Sequence, residues 1–239
     1  MMPTLLLRLA APMQAWGIAS NFDTRKMALA PTKSGVIGLL AAALGIRRDA
    51  PERLTPLNQL RFGVRTDRAG SLLVDFHTAG NLTPLQKKQK LKETPYITRR
   101  HYLADAVFLV GLESTDRALL EQLADALQSP AYPLFLGRRS CPPTLPLCLG
   151  IREIDLVESL RSEPALASAA QLGSEKSVCI LLDADPLEPN AFPQRDLPLS
   201  FDPRHRRFGY RAVKELRFSP QEPVSSTTQH DPFAELGGA

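Results

Sequence analysis

The residues best suited to chemistry near the N-terminus lie at the start of a predicted helix. The segment PTKSG at residues 31–35 places a lysine, a hydroxyl and a glycine in the helical turn that follows Thr32. Free backbone N–H groups at a helix start attract an anion, and a lysine adds a full positive charge. We therefore predict that Lys33 and Ser34 bind a phosphate. Gln14 and Trp16, in a polar loop after an apolar strand, are predicted to shape the adjacent groove.

A second set of candidate residues combines positive charge with aromatic rings. Four lysines lie between residues 87 and 92, and Arg99, Arg100, His101 and Tyr102 follow them. This mixture suits single-stranded RNA, because cations neutralise phosphates while the ring of Tyr102 or His101 stacks on a base. The alternative is a solvated β-hairpin whose lysines only keep an edge strand soluble. An insertion that interrupts a compact fold favours the functional interpretation.

Two further basic motifs lie later in the chain. The loop FLGRRSCP at residues 135–142 contains Gly137, Arg138, Arg139 and Ser140. Its glycine permits close backbone approach, and its arginine pair offers planar forks to phosphates or base edges, although an ordinary surface loop has the same composition. The cluster at residues 204–217 is also basic and aromatic. It suits a nucleic acid, a partner protein, or the solvated face of a C-terminal strand.

Signals for catalysis are weak. The four histidines, at positions 77, 101, 205 and 230, fall in none of the common metalloprotease, nucleophile or Cys/His patterns. His101, Tyr102 and nearby lysines can in principle form a metal-independent RNA-cleaving set, but neighbours in sequence need not meet in space. The three cysteines are odd in number and lack metal-ligand spacing, so we predict that they are reduced and buried. No cofactor is expected.

The charge of the chain is distributed unevenly. Residues 25–100 contain fifteen Lys/Arg and five Asp/Glu, whereas residues 101–239 contain thirteen and nineteen. A basic block suggests a polyanionic partner for one face, and the alternative is an uneven but solvated surface. No apolar run approaches the ~20 residues of a membrane span. No secretory signal is recognisable either, so a cytoplasmic protein without a membrane partner is expected.

The elements that must position these residues follow an α+β pattern. Apolar periodicity and capping signals predict strands at 5–9, 59–66, 71–78, 105–112 and 145–151, and helices at 32–44 and from residue 114 or 115 to 128. Without an insert at about 76–103, the order is strand, helix, strand, strand, helix, strand, which is the ferredoxin-like (RRM-type) pattern. We therefore predict a domain over residues 1–151 with an inserted β-hairpin thumb. A small, mostly β region with a mobile tail follows over residues 152–239 and contains one more strand at 177–183.

Six separated blocks of the sequence resemble one known family. They are LRLAAPMQAWG (7–17), PTKSG with GLL (31–40), LGIRRD (44–49), DFHT (75–78), RHYLAD (100–105) and LGRRSCP (136–142). In this order they resemble the CasD-type members of the Cas5 family, RAMP proteins of the type I-E CRISPR surveillance complex called Cascade. The region after about residue 152 matches much less well.

The resemblance implies an RNA-binding subunit without catalytic activity. Such a subunit grips the 5′ handle of CRISPR RNA with an RRM-like domain and a hairpin thumb, and caps one end of the Cascade backbone. The implied partners are CRISPR RNA, the backbone subunit CasC, the large subunit CasA and, in the assembled complex, target DNA. The expected RNA contacts are Gln14, Trp16, Arg25, Lys33, Ser34, Arg99, Arg100, Tyr102, Gly137, Arg138, Arg139 and Ser140.

Two other functions stay open at this point. A metal-independent endonuclease that cuts the CRISPR repeat would use general acid–base chemistry. A protein–protein adaptor of ferredoxin-like fold would carry its basic face only for solvation.

Overall fold

The computed structural model of the chain describes residues 2–17, 24–25, 27–80, 88, 96–167 and 178–218. The predicted C-terminal tail lies outside these residues, as do the thumb lysines other than Lys88. The helices are α1 (Lys33–Ala43), α2 (Thr55–Gln59), α3 (Arg117–Gln128) and α4 (Leu156–Ser162), and one 3₁₀ turn spans Pro51–Leu54. The strands are β1 (Thr4–Ala10), β2 (Met13–Gln14), β3 (Trp16–Gly17), β4 (Thr24–Arg25), β5 (Met27–Ala28), β6 (Arg61–Arg68), β7 (Ser71–Ala79), β8 (Tyr96–Ala104), β9 (Val107–Glu113), β10 (Cys148–Arg152), β11 (Val178–Asp183), β12 (Phe192–Ser200) and β13 (Arg207–Phe218).

A seven-stranded sheet forms the centre of the protein. Its strand order is β10-β1-β9-β6-β11-β13-β12, and every neighbouring pair is antiparallel. This confirms the prediction of a mixed α+β fold, and its main sheet is large and antiparallel. The C-terminal strands β11, β13 and β12 continue the same sheet beyond β6, so the two halves of the chain share one hydrogen-bonded surface.

The hairpin of β7 and β8 forms a second, smaller sheet. The two strands pair along their whole length, from Ser71 opposite Ala104 to Ala79 opposite Tyr96, and β2 and β4 pair with the other edge of β8. The segment predicted as a strand at 71–78 therefore pairs with β8 and not with the preceding strand β6. Both edges of β6 are already occupied, by β9 and β11. The thumb hairpin thus begins at residue 71 rather than at about 76.

Apolar side chains bury both faces of the central sheet. On one face Leu5, Leu7 and Leu9 of β1 pack in a large core that includes α1 and α3. On the other face Leu6 packs against Leu156 and Leu160 of α4 and against the strand β11. This two-sided burial explains the three consecutive leucines at residues 5–7 of β1, since a strand that is covered on one face only would alternate.

The capping predictions are confirmed for α1 and corrected for α3. The Thr32 side chain accepts a hydrogen bond from the Gly35 amide, and Gly45, just beyond the helix, has a φ of +69°. The cap of α3 is Asp116 rather than Ser114 or Thr115, because the Asp116 carboxylate accepts from the Leu119 amide. Ser114 instead accepts a hydrogen bond from the Asp116 backbone N–H.

A buried network of four charges joins the two halves of the chain. Arg211 of β13 donates to Asp196 of β12 at 2.6 and 2.9 Å and to Asp183 of β11 at 2.6 Å. Lys33 of α1 donates its ammonium to Asp183 at 2.9 Å and its backbone N–H to Asp196 at 2.8 Å. Burial disfavours the charged form of Arg211, but the hydrogen bonds and charges of Asp196 and Asp183 outweigh burial and raise its pKa above the ordinary value.

Removal of Asp196 should strongly destabilise the protein. In the Asp196→Ala variant the Arg211 guanidinium loses a buried partner and the first N–H of α1 loses its acceptor. Breaking a buried ion pair in this way costs about 3–5 kcal/mol. Urea unfolding followed by circular dichroism measures the loss. Arg117→Ala, which removes exposed ion pairs with Glu121 and Glu153, is the control and should leave the unfolding free energy nearly unchanged. Equal midpoints for the two variants would contradict the account.

Candidate nucleic-acid interface

The helix start predicted to bind phosphate is occupied by side chains of the protein itself. Lys33 is 4% exposed, and its ammonium is bound by Asp183 and by the Leu60 carbonyl oxygen at 2.8 Å. The Asp196 carboxylate accepts from the Lys33 amide, so a carboxylate stands where the sequence indicates a phosphate. The interpretation of Lys33 as a phosphate ligand is therefore wrong, and Lys33 is a structural residue. Ser34, next to it, is half-buried and faces an open groove.

Gln14 and Trp16 lie beneath the surface rather than on it. Both are fully buried. The Gln14 amide donates to the carbonyl oxygens of Leu9 and Ala106, and its oxygen accepts from the Trp16 indole at 3.0 Å. A Cβ atom on Gly35 would lie 2.8 Å from the Trp16 ring, so the indole supports α1 directly. The two residues hold the loop and the helix in place, and neither is available to contact RNA as predicted.

The loop 135–142 carries the predicted arginine pair to the surface. Gly137 has a φ of +85°, and a Cβ atom there would lie 1.8 Å from the carbonyl oxygen of Ala15. The close approach that this glycine permits is therefore an approach to the protein's own backbone. Arg139 and Ser140 are exposed, and Arg138 is half-buried. Gly137 fixes the loop so that these three side chains leave it in defined directions.

Arg138 lies on the ring of Tyr102. The centre of its guanidinium is 4.5 Å from the ring centroid, a cation–π distance. Tyr102 is 5% exposed, so the prediction that its ring stacks on an RNA base is wrong. Burial raises the pKa of the Tyr102 phenol, but the nearby Arg138 and Ser140 outweigh burial, and the pKa falls below its ordinary value. Tyr102 positions Arg138.

Arg100 lies on the same face of the hairpin as Tyr102, because residues two apart on a strand point to the same side. The Nε atom of Arg100 and the Nη1 atom of Arg138 are both buried and have no hydrogen-bond partner among the described residues. Arg99 points to the other face and is exposed. Unpaired buried N–H groups are costly, and a phosphate oxygen would satisfy them.

His101 and Tyr102 do not form a common catalytic set. They are consecutive residues of β8 and therefore point to opposite faces of the hairpin. Of Arg25, the structure describes only the backbone, which pairs with Arg100 in the parallel ladder between β4 and β8. The strand pairing thus brings Arg25 beside the thumb arginines in register.

Six arginines line one broad groove. They are Arg47, Arg48, Arg138, Arg139, Arg204 and Arg206. Ser34, Gly35 and Gly38 of α1 contribute to the lining, and the acidic lining residues are Asp49 and Asp202. Arg47 donates two hydrogen bonds to Asp49, at 3.1 and 3.2 Å. Cations therefore outnumber carboxylates three to one in the groove, and the other lining residues are uncharged.

Four of these arginines were not among the predicted contacts. Arg47 and Arg48 follow α1 in the block LGIRRD, and Arg204 and Arg206 lie in the basic segment after β12. For Arg47 and Arg48 the available signal was a doubled arginine next to Asp49, and for Arg204 and Arg206 it was the basic, aromatic cluster at residues 204–217. Only the fold shows that these two segments, more than 150 residues apart in sequence, meet Arg138 and Arg139 at one groove.

Comparisons with known proteins agree with this fold. The sequence profile described as CRISPR-associated protein (Cas_Cas5) matches residues 4–214. The chain belongs to the Cas5 family. It is 43% identical over 157 residues to the CRISPR system Cascade subunit CasD of Escherichia coli (strain K12), which covers 61% of this chain and 70% of that relative.

Two solved structures resemble this Cas5-family chain over most of its length. One, described as a CRISPR RNA-guided surveillance complex, superimposes with a TM-score of 0.75 at 34% identity and covers 92% of this chain and 91% of its own. The other, described as the crystal structure of a Cas protein, has a TM-score of 0.69 at 39% identity and covers 92% of this chain and 99% of its own.

Other kinds of site find little support in the described part of this Cas5-family chain. Within it, no group of three or more His, Cys, Asp or Glu side chains is placed to hold a metal ion. No described helix is long and apolar enough to cross a membrane.

The predicted burial of the cysteines is confirmed for Cys141, whereas Cys148 and Cys179 are half-buried. Burial, with help from Glu215, raises the pKa of the Cys179 thiol to about 11, so it is protonated and unreactive at neutral pH.

Substitution of Gly137 should destabilise the fold more than substitution of another glycine with positive φ. In Gly137→Ala the new Cβ meets the Ala15 carbonyl, and the backbone is strained as well, so we expect a loss of at least about 2 kcal/mol. Gly150 has a φ of +91°, but a Cβ there would meet nothing closer than the Arg152 side chain at 3.7 Å. Gly150→Ala is therefore the matched control. Equal losses in thermal unfolding would show that the contact with Ala15 is unimportant.

Proposed function

We propose that this Cas5-family protein is a non-catalytic RNA-binding subunit of a type I-E Cascade, which holds the 5′ handle of CRISPR RNA and caps one end of the backbone. The observation that carries the proposal is the groove lined by six arginines. Arginine forks bind phosphates in bidentate fashion, and a row of them neutralises a nucleic-acid backbone without reading its sequence. The similarity to a Cascade subunit and to a surveillance complex supports the choice of RNA.

The proposed RNA path uses residues that the structure leaves accessible. Phosphates of the handle lie on Arg138, Arg139 and the Ser34 hydroxyl, and the exposed Ser140 adds a neutral donor. Arg99 and Arg100 of the thumb, with Arg25 beside them in register, act where handle becomes spacer. A phosphate bound between Arg100 and Arg138 would pair the N–H groups that are otherwise unsatisfied.

A ferredoxin-like domain over residues 1–151, with the thumb as an insertion, is the proposed frame for this site. When the thumb hairpin is left out, β1, β6, β9 and β10 are the four strands of the predicted pattern in chain order. Support comes from their arrangement in the sheet, where they are neighbours in the order β10-β1-β9-β6. The remaining strands extend the sheet, and we propose that they belong to the small C-terminal region predicted from residue 152 onward.

The proposed partners are CRISPR RNA, the backbone subunit CasC, the large subunit CasA and target DNA in the assembled complex. The resemblance to CasD-type subunits supports this set, since the similar solved structure is described as an RNA-guided surveillance complex. A non-catalytic role is supported by the separation of His101 and Tyr102 onto opposite faces of β8. No observation favours an adaptor that binds no nucleic acid.

Removal of Arg138 and Arg139 should weaken RNA binding without unfolding the protein. Each charge-assisted contact contributes about 1.5–3 kcal/mol, so Arg138→Ala with Arg139→Ala should raise the dissociation constant at least tenfold. Fluorescence anisotropy with a labelled handle RNA measures it, and a denaturing gel of the same samples in EDTA should show intact RNA. The control removes Arg53 and Arg195, two exposed arginines outside the groove. Equal affinities of the two double variants, or cleaved RNA, would contradict the proposal.

Arg100 should matter more for assembly than any single thumb lysine. Arg100 is half-buried in the ladder of β8, where its direction is fixed, whereas Lys88 is exposed. Arg100→Ala should therefore reduce the CRISPR RNA and partner subunits that co-purify with the protein more than Lys87→Ala, Lys88→Ala or Lys90→Ala does. Arg100→Lys should not restore assembly fully, because an ammonium lacks the planar fork of a guanidinium. Normal assembly of Arg100→Ala, with failure of one lysine variant, would reverse these roles.

A further inference from the structure

We propose that Arg204 and Arg206, in the loop between β12 and β13, bind the same single-stranded RNA as Arg138 and Arg139. The RNA strand would then be bound by both halves of the protein chain, and the C-terminal region would be part of the RNA site. This inference rests on the proposed function and extends it to a segment in which sequence reasoning left nucleic acid, partner protein and solvent as alternatives. Its starting point is that Arg204, Arg206 and Phe208 line the groove that contains the arginine pair.

The loop is held in a defined shape against α1. The Asp202 carboxylate accepts from the Arg204 amide at 2.8 Å, the Asp202 amide donates to the Ser200 hydroxyl at 3.2 Å, and the His205 amide donates to the Asp202 carbonyl at 3.1 Å. Phe201 lies at the foot of the loop, and a Cβ atom on Gly38 of α1 would be 3.6 Å from its ring. The rings of Phe201 and Phe208 also pack edge to face, with centroids 6.5 Å apart. The loop therefore presents its arginines from an anchored base.

The charges of this loop are available to a ligand. Arg204 and Arg206 are exposed, and neither forms an ion pair with another described residue. They occur in a half of the chain that has nineteen acidic and only thirteen basic residues after position 100. Cations gathered at one groove in an otherwise acidic half are complementary to a polyanion, and they gain binding energy by releasing its counterions.

The aromatic residues of the groove favour a single strand. Tyr132 lines the groove and is 48% exposed, and Phe208 lines it from the C-terminal strand. The exposed Tyr132 ring and the half-buried Phe208 ring beside a row of cations suit unpaired bases, which stack on a ring while the cations follow the phosphates. A duplex hides the faces of its bases and gains only the electrostatic part of this interaction.

The test compares two neighbouring pairs of arginines in the full-length protein. Arg204→Ala with Arg206→Ala removes two cations of the groove. Arg195→Ala with Arg207→Ala removes two exposed cations that do not line it, and Arg207 is the immediate neighbour of Arg206. Each variant is titrated with a fluorescein-labelled single-stranded handle RNA at several salt concentrations, and thermal unfolding confirms that it is folded.

We expect the groove variant to bind at least tenfold more weakly, with a salt slope shallower by about 1.4, because each phosphate contact to a single strand contributes about 0.7 to that slope. The control should bind within about twofold of the natural protein, since its arginines touch no phosphate. Arg204→Glu with Arg206→Glu should weaken binding further. A self-complementary duplex competitor should displace the strand less well than unlabelled single strand.

The outcomes separate this inference from the proposed function. If the groove variant binds like its control while the Arg138 and Arg139 variant is impaired, the C-terminal loop is outside the RNA site and only this inference fails. If neither pair affects binding, the proposed function fails with it. If control and groove variants lose affinity equally, the loop contributes only a diffuse charge and the inference is wrong.

Discussion

The arrangement of this protein depends on one buried carboxylate, Asp196, and on the ion network of which it is part. Asp196 is almost completely buried, accepts from the first amide of α1 and accepts two hydrogen bonds from Arg211. Arg211 is shared with Asp183, which also binds Lys33 and the amide of Phe62. Two positive and two negative side chains thus neutralise each other where α1, β6, β11, β12 and β13 converge. A buried charge without its partner costs folding free energy, so separation of the C-terminal strands from α1 would destabilise the protein.

This constraint decides which residues are structural and which are free to bind. Lysine and tyrosine are residue types that bind RNA, yet Lys33 and Tyr102 are both buried in contacts with the protein itself. Lys33 is paired in the ion network, and the ring of Tyr102 lies under Arg138. Their burial fixes the helix and the arginine loop. The side chains that remain accessible are arginines at the rim, which line a groove together with residues of the loop after β12. In the proposed function, rigid supports therefore aim guanidinium groups at a flexible ligand, which limits the entropy lost on binding.

The sequence was sufficient for elements defined by local chemistry. The helix predicted at 32–44 depends on residues a few positions apart, and the structure confirms it, with the Thr32 cap at its start. It was not sufficient where partners are distant: nothing near Lys33 reveals that Asp196 will reach the helix start. The strand β12 was missed because it contains Pro193 and Pro198, which a central strand would not tolerate. It is an edge strand, so the missing N–H groups cost little. The groove was missed for the same reason as Asp196, since its lining comes from segments far apart in the chain.

The central claim, that RNA lies in the groove held together by this network, is tested most directly by mapping photo-crosslinks. A handle RNA that carries 4-thiouridine would be bound to the purified protein, irradiated and digested, and the modified peptides identified by mass spectrometry. The account predicts adducts on two separate segments, residues 132–139 and 201–208, which line the groove together. Adducts confined to surfaces outside the groove, such as the exposed helix face of α3 or the strand β10, would contradict it.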